Sequence, residues 1–134
     1  YANVHYPDLE INLDIRQDLP VLQGDPKRLK QVFDNLVSNV VKYAPEKPLH
    51  IRVYREENGV TIDFKDGGKG IPPRDLERIF DRFYRSESLP TTSHGSGLGL
   101  YICKKIIEAH NGTISVSSIV NIGTTMHVFL PWKD

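Results

Sequence analysis

The chain has 134 residues, 39% of them hydrophobic and 25% charged, the size and make-up of one globular domain spanning 1–134. Seventeen Lys and Arg balance seventeen Asp and Glu, which excludes a general nucleic-acid or acidic-membrane binder, since those need a basic surplus. A single cysteine, no apolar stretch long enough to cross a bilayer and no secretory leader pattern fit a monomeric cytoplasmic chain, and the opening Tyr1-Ala2-Asn3 reads as a piece of something longer.

Leu9, Ile11, Leu13 and Ile15 alternate with polar residues, the period of a half-buried strand. Asp25-Pro26 supplies an N-cap acceptor followed by proline at the first helical position. From there Leu29, Val32, Phe33, Leu36 and Val40 recur at helical spacing as far as Tyr43. Leu49, Ile51 and Val53 alternate, Asn58-Gly59 signals a hairpin, and Val60, Ile62 and Phe64 alternate beyond it. A glycine turn, Asp66 to Gly70, leads to Pro72-Pro73 and a predicted helix through Phe83. Ser86 to Ser96 has no apolar period and reads as a loop. The next helix is predicted from about Gly97 to His110, where Asn111-Gly112 stops it. Alternating runs at Ile114 and Val116, then at Met126, Val128 and Leu130, close the chain. The expected fold is an α/β two-layer sandwich, a mixed sheet covered on one face by about three helices.

On the first helix Asn35 and Asn39, four residues apart, point the same way beside Lys42, on the flank of the apolar arc. Two amides and an ammonium in that arrangement suit phosphate oxygens and a hydrated divalent cation, which takes few protein ligands. A solvated helix face is the ordinary alternative. The glycines after Asp66 permit positive φ and the close approach of a flat ligand, and a carboxylate at a strand end accepts from an exocyclic amino group. Gly95-Ser96-Gly97-Leu98-Gly99-Leu100 runs into a helix, whose first N–H groups suit a phosphate chain. It is neither a Walker loop nor a dinucleotide fingerprint. Arg74, Arg78, Arg82 and Arg85 share one side of their segment and are offset by Asp75, Glu77 and Asp81.

In this order the pieces resemble the catalytic ATP-binding domain of bacterial two-component sensor histidine kinases. The resemblance rests on an N box at Asn35 to Tyr43, a first glycine box at Asp66 to Ile71, an F box at Phe80 to Arg85 and a second glycine box at Gly95 to Leu100. It covers roughly residues 9 to 131 and implies a Bergerat-type fold, with ATP and Mg²⁺ bound and ADP as product. By the same resemblance Asp66 would read the adenine amino group, with Gly68, Gly70 and Ile71 beside the ring and Thr124 steadying Asp66. Asn39 would hold Mg²⁺ with Asn35 beside it, and Lys42 and Tyr43 would face phosphates and sugar. Gly95, Gly97, Leu98 and Gly99 would offer N–H groups to the phosphates, Arg85 would reach the terminal one, and Ser86 to Ser96 would be the ATP lid.

The implied function is protein-histidine kinase activity, the γ-phosphoryl group passing to a histidine on a separate dimerisation domain, with a response regulator downstream. None of His5, His50, His94, His110 or His127 has the acceptor context, so self-phosphorylation is not expected. His110, just before the helix stop, is expected to favour the helix dipole as a cation. Cys103 is expected to be buried and inert. The alternatives are a self-sufficient ATPase of the gyrase or mismatch-repair type, which would carry a glutamate where Asn35 stands, an anti-sigma-factor-type serine kinase, and a non-catalytic nucleotide sensor. No membrane contact by this part of the chain is expected.

Overall fold

In the computed structural model, which describes residues 10–16, 18–19, 22–43 (the side chains of 41–43 excepted), 48–82 and 99–132, strands and helices interleave. The elements are β1 (Ile11–Ile15), α1 (Pro26–Tyr43), β2 (Leu49–Glu56), β3 (Gly59–Asp66), α2 (Pro73–Leu76), α3 (Gly99–Ala109), β4 (Thr113–Ile119) and β5 (Gly123–Pro131). The strands form one sheet in the order β1-β2-β3-β5-β4. β1 pairs parallel to β2, because α1 carries the chain back across the sheet between them, and every other pair is antiparallel. The sheet is therefore mixed. No described helix is long and apolar enough to cross a membrane.

The apolar periods meet in one core. Val32, Leu36, Val37 and Val40 of α1 join Cys103, Ile106 and Ile107 of α3 over Leu49, Ile51, Phe64, Met126, Val128 and Leu130 of the sheet. Phe33 meets Phe64 edge to face at 5.5 Å, fixing α1 against the distal half of β3. Val37 lies off the arc drawn from the sequence and is fully buried, because α1 contacts α3 as well as the sheet.

Asp25 caps α1 as expected: its Oδ1 accepts the Lys27 and Arg28 N–H groups at 3.0 and 3.4 Å. His110 departs from the expectation of a cation at the helix stop. Its Nε2 accepts the Asp25 N–H at 2.9 Å while Nδ1 faces the Ile106 carbonyl at 2.8 Å, so the proton sits on Nδ1 and the ring bridges two helix ends.

Three further expectations are corrected. The helix predicted from Pro72 to Phe83 is a single turn, Pro73–Leu76, followed by turns to Arg82. Bonds from Arg78 N–H to Asp75 and from Asp81 N–H to Arg78 step by three residues, the spacing of tight turns, while Asp75 and Ile79 are buried and Phe80 packs partly against the core. The hairpin turns on Glu57-Asn58 instead of Asn58-Gly59, because Gly59 already pairs with Pro131 and a Cβ there would run into the Leu130 carbonyl. β1 keeps its alternation without the burial, with Leu13 61% and Ile15 55% exposed at the sheet edge.

Candidate functional site

The site begins where β3 ends. Asp66, the last residue of the strand, faces Thr124 of β5, which faces Ser118 of β4, so the three stand in one row across the sheet. Beyond the strand end the backbone leaves the ladder, and its N–H groups become available to side chains. Asp66 Oδ1 accepts the Gly68 N–H at 2.9 Å, and the Thr124 N–H bonds the same carboxylate. Burial pushes the Asp66 carboxyl above the usual carboxylate range, and these two N–H bonds oppose the shift without cancelling it. A half-buried carboxylate with only backbone partners has acceptor capacity left for a donor arriving in the pocket.

The loop after Asp66 is pressed onto the β4–β5 turn. Gly70 takes φ 77°, and a Cβ there would run into the Ile119 carbonyl, so this glycine serves backbone packing. Gly123, at φ 151°, brings its Cα against the Asp66 carbonyl in the same way. Asn121 N–H donates to the Lys69 carbonyl at 2.7 Å and completes the seam.

Ser118 is the residue that sequence reasoning missed. Its Oγ accepts the Ile71 N–H at 2.7 Å, donates to the Gly123 carbonyl at 2.9 Å and lies 2.8 Å from Thr124 Oγ1. The signal was present in the alternation: Ile114, Val116 and Ser118 share the inward register of β4, so a polar side chain falls in an apolar row.

The second half of the site lies on α1. Asn35 and Asn39 are both half-buried on its flank. Asn35 Nδ2 donates to the Gly99 carbonyl at 3.5 Å, a long bond to the first turn of α3. The Asn35 amide also bonds the Cys103 thiol, which is fully buried, 3.8 Å from the Val32 carbonyl, and pushed up to about 11 by that burial. Cys103 is therefore inert, as expected. Asp34, one step round the helix, is turned away and ion-paired with Lys30 at 2.9 Å. Gly99 itself is open, with nothing within 4 Å of where a Cβ would stand.

Of the predicted site residues, Asp66, Gly68, Ile71 and Thr124 come together at one end of the sheet, and Asn35 meets Gly99 across α1 and α3. The side chains of Lys42 and Tyr43, and all of Arg85, Gly95, Gly97 and Leu98, lie outside the described residues. Among the described residues no group of three or more His, Cys, Asp and Glu is placed to hold a metal ion. The donor chemistry still fits Mg²⁺, because the Asn39 amide oxygen is a hard donor and this ion takes most of its coordination from water and phosphate.

The chain is similar to known proteins in sequence and in fold. The chain is 41% identical over 132 residues to the sensor histidine kinase WalK of Bacillus subtilis, covering 96% of this chain and 20% of that protein. It is 40% identical to a Staphylococcus aureus sensor protein kinase WalK, covering 88% of this chain and 29% of that one. It thus spans less than a third of these relatives' length. Among solved structures it superposes on the mycobacterial sensor histidine kinase MprB with a TM-score of 0.84 at 30% identity, covering 96% and 87% of the two chains. Full-length ShkA in complex with AMPPNP gives 0.82 at 25% identity, covering 99% and 29%. The family described as histidine kinase-, DNA gyrase B-, and HSP90-like ATPase matches residues 24–134, and the chain belongs to that family.

Proposed function

We propose that this domain binds ATP with Mg²⁺ and donates the γ-phosphoryl group to a histidine on a separate domain of a two-component sensor kinase. The observation that carries the reading is Asp66: a carboxylate at a strand end, desolvated, held by two backbone N–H groups and retaining acceptor capacity for an amino group. Asp66 accepts from the adenine amino group, and Ile71 and the glycine turn form the floor beside the ring. Asn39 holds Mg²⁺ with the phosphates, and the ion when bound neutralises charge on the transferring group. Asn35 keeps α1 and the first turn of α3 together, so the open Gly99 end stays in line with the phosphate chain. Lys42, Tyr43, Arg85 and the second glycine box complete the phosphate side.

Phosphoryl transfer needs positioning and charge neutralisation more than covalent help, which suits a site of amides and N–H groups. Asn35 accepts no proton from water as a glutamate would, which favours the kinase over the gyrase-like ATPase. The partners of this reading are the phosphoacceptor domain of the parent kinase and a response regulator downstream, and its location is the cytoplasm.

Calorimetry with ATP, GTP and ADP, followed by phosphoryl transfer to a supplied dimerisation domain, tests it. ATP is expected to bind at least several-fold tighter than GTP, with transfer appearing only when the acceptor is added. Asn39→Ala is expected to cut transfer far more than metal-free ADP binding. Equal affinity for the two nucleotides, or brisk hydrolysis without an acceptor, overturns it.

A further inference from the structure

Ser118 reaches no ligand directly, and its interest lies in what it does to Thr124. A serine hydroxyl has one proton and two lone pairs. Its proton goes to the Gly123 carbonyl at 2.9 Å, and one lone pair takes the Ile71 N–H at 2.7 Å. The contact with Thr124 Oγ1 at 2.8 Å can then be made in one way only, with Thr124 donating. Ser118 is thereby saturated, and the single proton of Thr124 is spent on it. What Thr124 has left is acceptor capacity, and its neighbour in the row, Asp66, is an acceptor as well.

We propose that Ser118 is a specificity-determining positioning residue: by taking the Thr124 proton it makes both polar side chains at the base-reading edge acceptors. An edge made only of acceptors pairs with the protons of an exocyclic amino group, and a base that lacks the group leaves those acceptors without a donor. The same hydroxyl fixes the Ile71 backbone, the last residue of the glycine turn, to the Gly123 carbonyl next to Asp66, so the turn and the reading edge are set by one atom. The residue thus acts on which purine is bound more than on whether a nucleotide is bound. The inference deepens the ATP reading and rests on it.

The decisive measurement is the ratio of affinities for ATP and purine riboside triphosphate, which differ only in the exocyclic amino group, in the unmodified domain, Ser118→Ala, Ser118→Thr and Thr124→Val. Ser118→Ala frees the Thr124 hydroxyl to turn and donate, so the ATP preference is expected to fall about tenfold, the scale of one exchanged hydrogen bond. Ser118→Thr keeps the hydroxyl and is expected to restore the ratio. If Ser118→Ala fails to fold, Thr124→Val decides: it removes the acceptor that Ser118 orients, so the ratio is expected to fall about as far as in Ser118→Ala, and an unchanged ratio overturns the inference. A ratio unchanged in Ser118→Ala, an equal loss for both nucleotides, or no rescue by Ser118→Thr overturns the inference. An unmodified domain that binds neither nucleotide overturns the ATP reading instead.

Discussion

Two rows of polar side chains cross β3, β5 and β4, one on each face of the sheet, and they use similar residues to opposite ends. On the helix-covered face the row is Asp66, Thr124 and Ser118. On the open face Asp63 Oδ1 meets His127 Nδ1 at 2.8 Å, His127 Nε2 meets Ser117 Oγ at 3.0 Å, and the Tyr54 hydroxyl donates to Asp63 at 3.3 Å. A serine, a histidine and an aspartate in that order look like hydrolytic machinery. The row sits in mid-strand, however, and its hydrogen bonds run from one side chain to the next along the row. Asp66 differs because the strand stops there. Its partners are N–H groups of a turn and a strand start, and they offset part of what burial costs its ionised form. Position relative to the strand end, more than residue type, separates a binding carboxylate from a structural one.

The largest effect that could break this contrast is at the two aspartates. Asp66→Asn is expected to lower ATP affinity at least ~100-fold, the loss of a charged acceptor, worth about 3 kcal/mol. It removes a desolvated charge, so thermal denaturation of the nucleotide-free domain is expected to show no loss of stability. Asp63→Asn is expected to do the reverse, leaving ATP affinity within about twofold and costing about 1 kcal/mol of stability. Similar binding losses in both variants would erase the distinction.

Acid sharpens it next. A carboxyl raised in the folded state contributes stability that is fully present below its unfolded value of 3.8 and is lost as pH rises through the raised folded value. Nucleotide binding runs the other way, because the ionised Asp66 is the stronger acceptor for the amino group. Affinity measured by calorimetry is expected to fall as pH drops through the Asp66 value, and Asp66→Asn is expected to abolish that dependence. Asp63→Asn is expected to leave it in place.

Two smaller effects follow. Asn35→Asp replaces a donor by an acceptor opposite the Gly99 carbonyl, and chemical denaturation is expected to show a cost of about 1–3 kcal/mol. The neighbouring Asp34→Ala removes the i,i+4 pair with Lys30, a contact expected to be worth about 0.5 kcal/mol. On the open face His127→Gln is expected to cost at most about 1 kcal/mol, with ATP affinity unchanged in the same titration.

Much of this was legible in the chain. Alternation found the strands, Asp25-Pro26 found the start of α1, and a carboxylate before a glycine run marked the strand end at Asp66. What failed did so for physical reasons. The period after Pro73 fits i,i+3 turns as well as a helix, and sequence does not show which step the hydrogen bonds take. The Asn35–Gly99 contact joins residues 64 apart, and local spacing carries no trace of it. Ser118 stood in an inward register, yet its three partners come from the glycine turn and the next strand, which only the folded sheet brings to it.

The His110 bridge has a mechanical consequence. One end of α3 is tied to the start of α1 through the imidazole, and the other is tied to the middle of α1 through Asn35. A rod fastened at two points has no pivot. The first turn of α3 cannot swing towards or away from a phosphate chain while α1 stays still without giving up one of these ties. Sliding α3 along α1 therefore loads both ties at once, one at Gly99 and one at Asp25, at the far end of the layer.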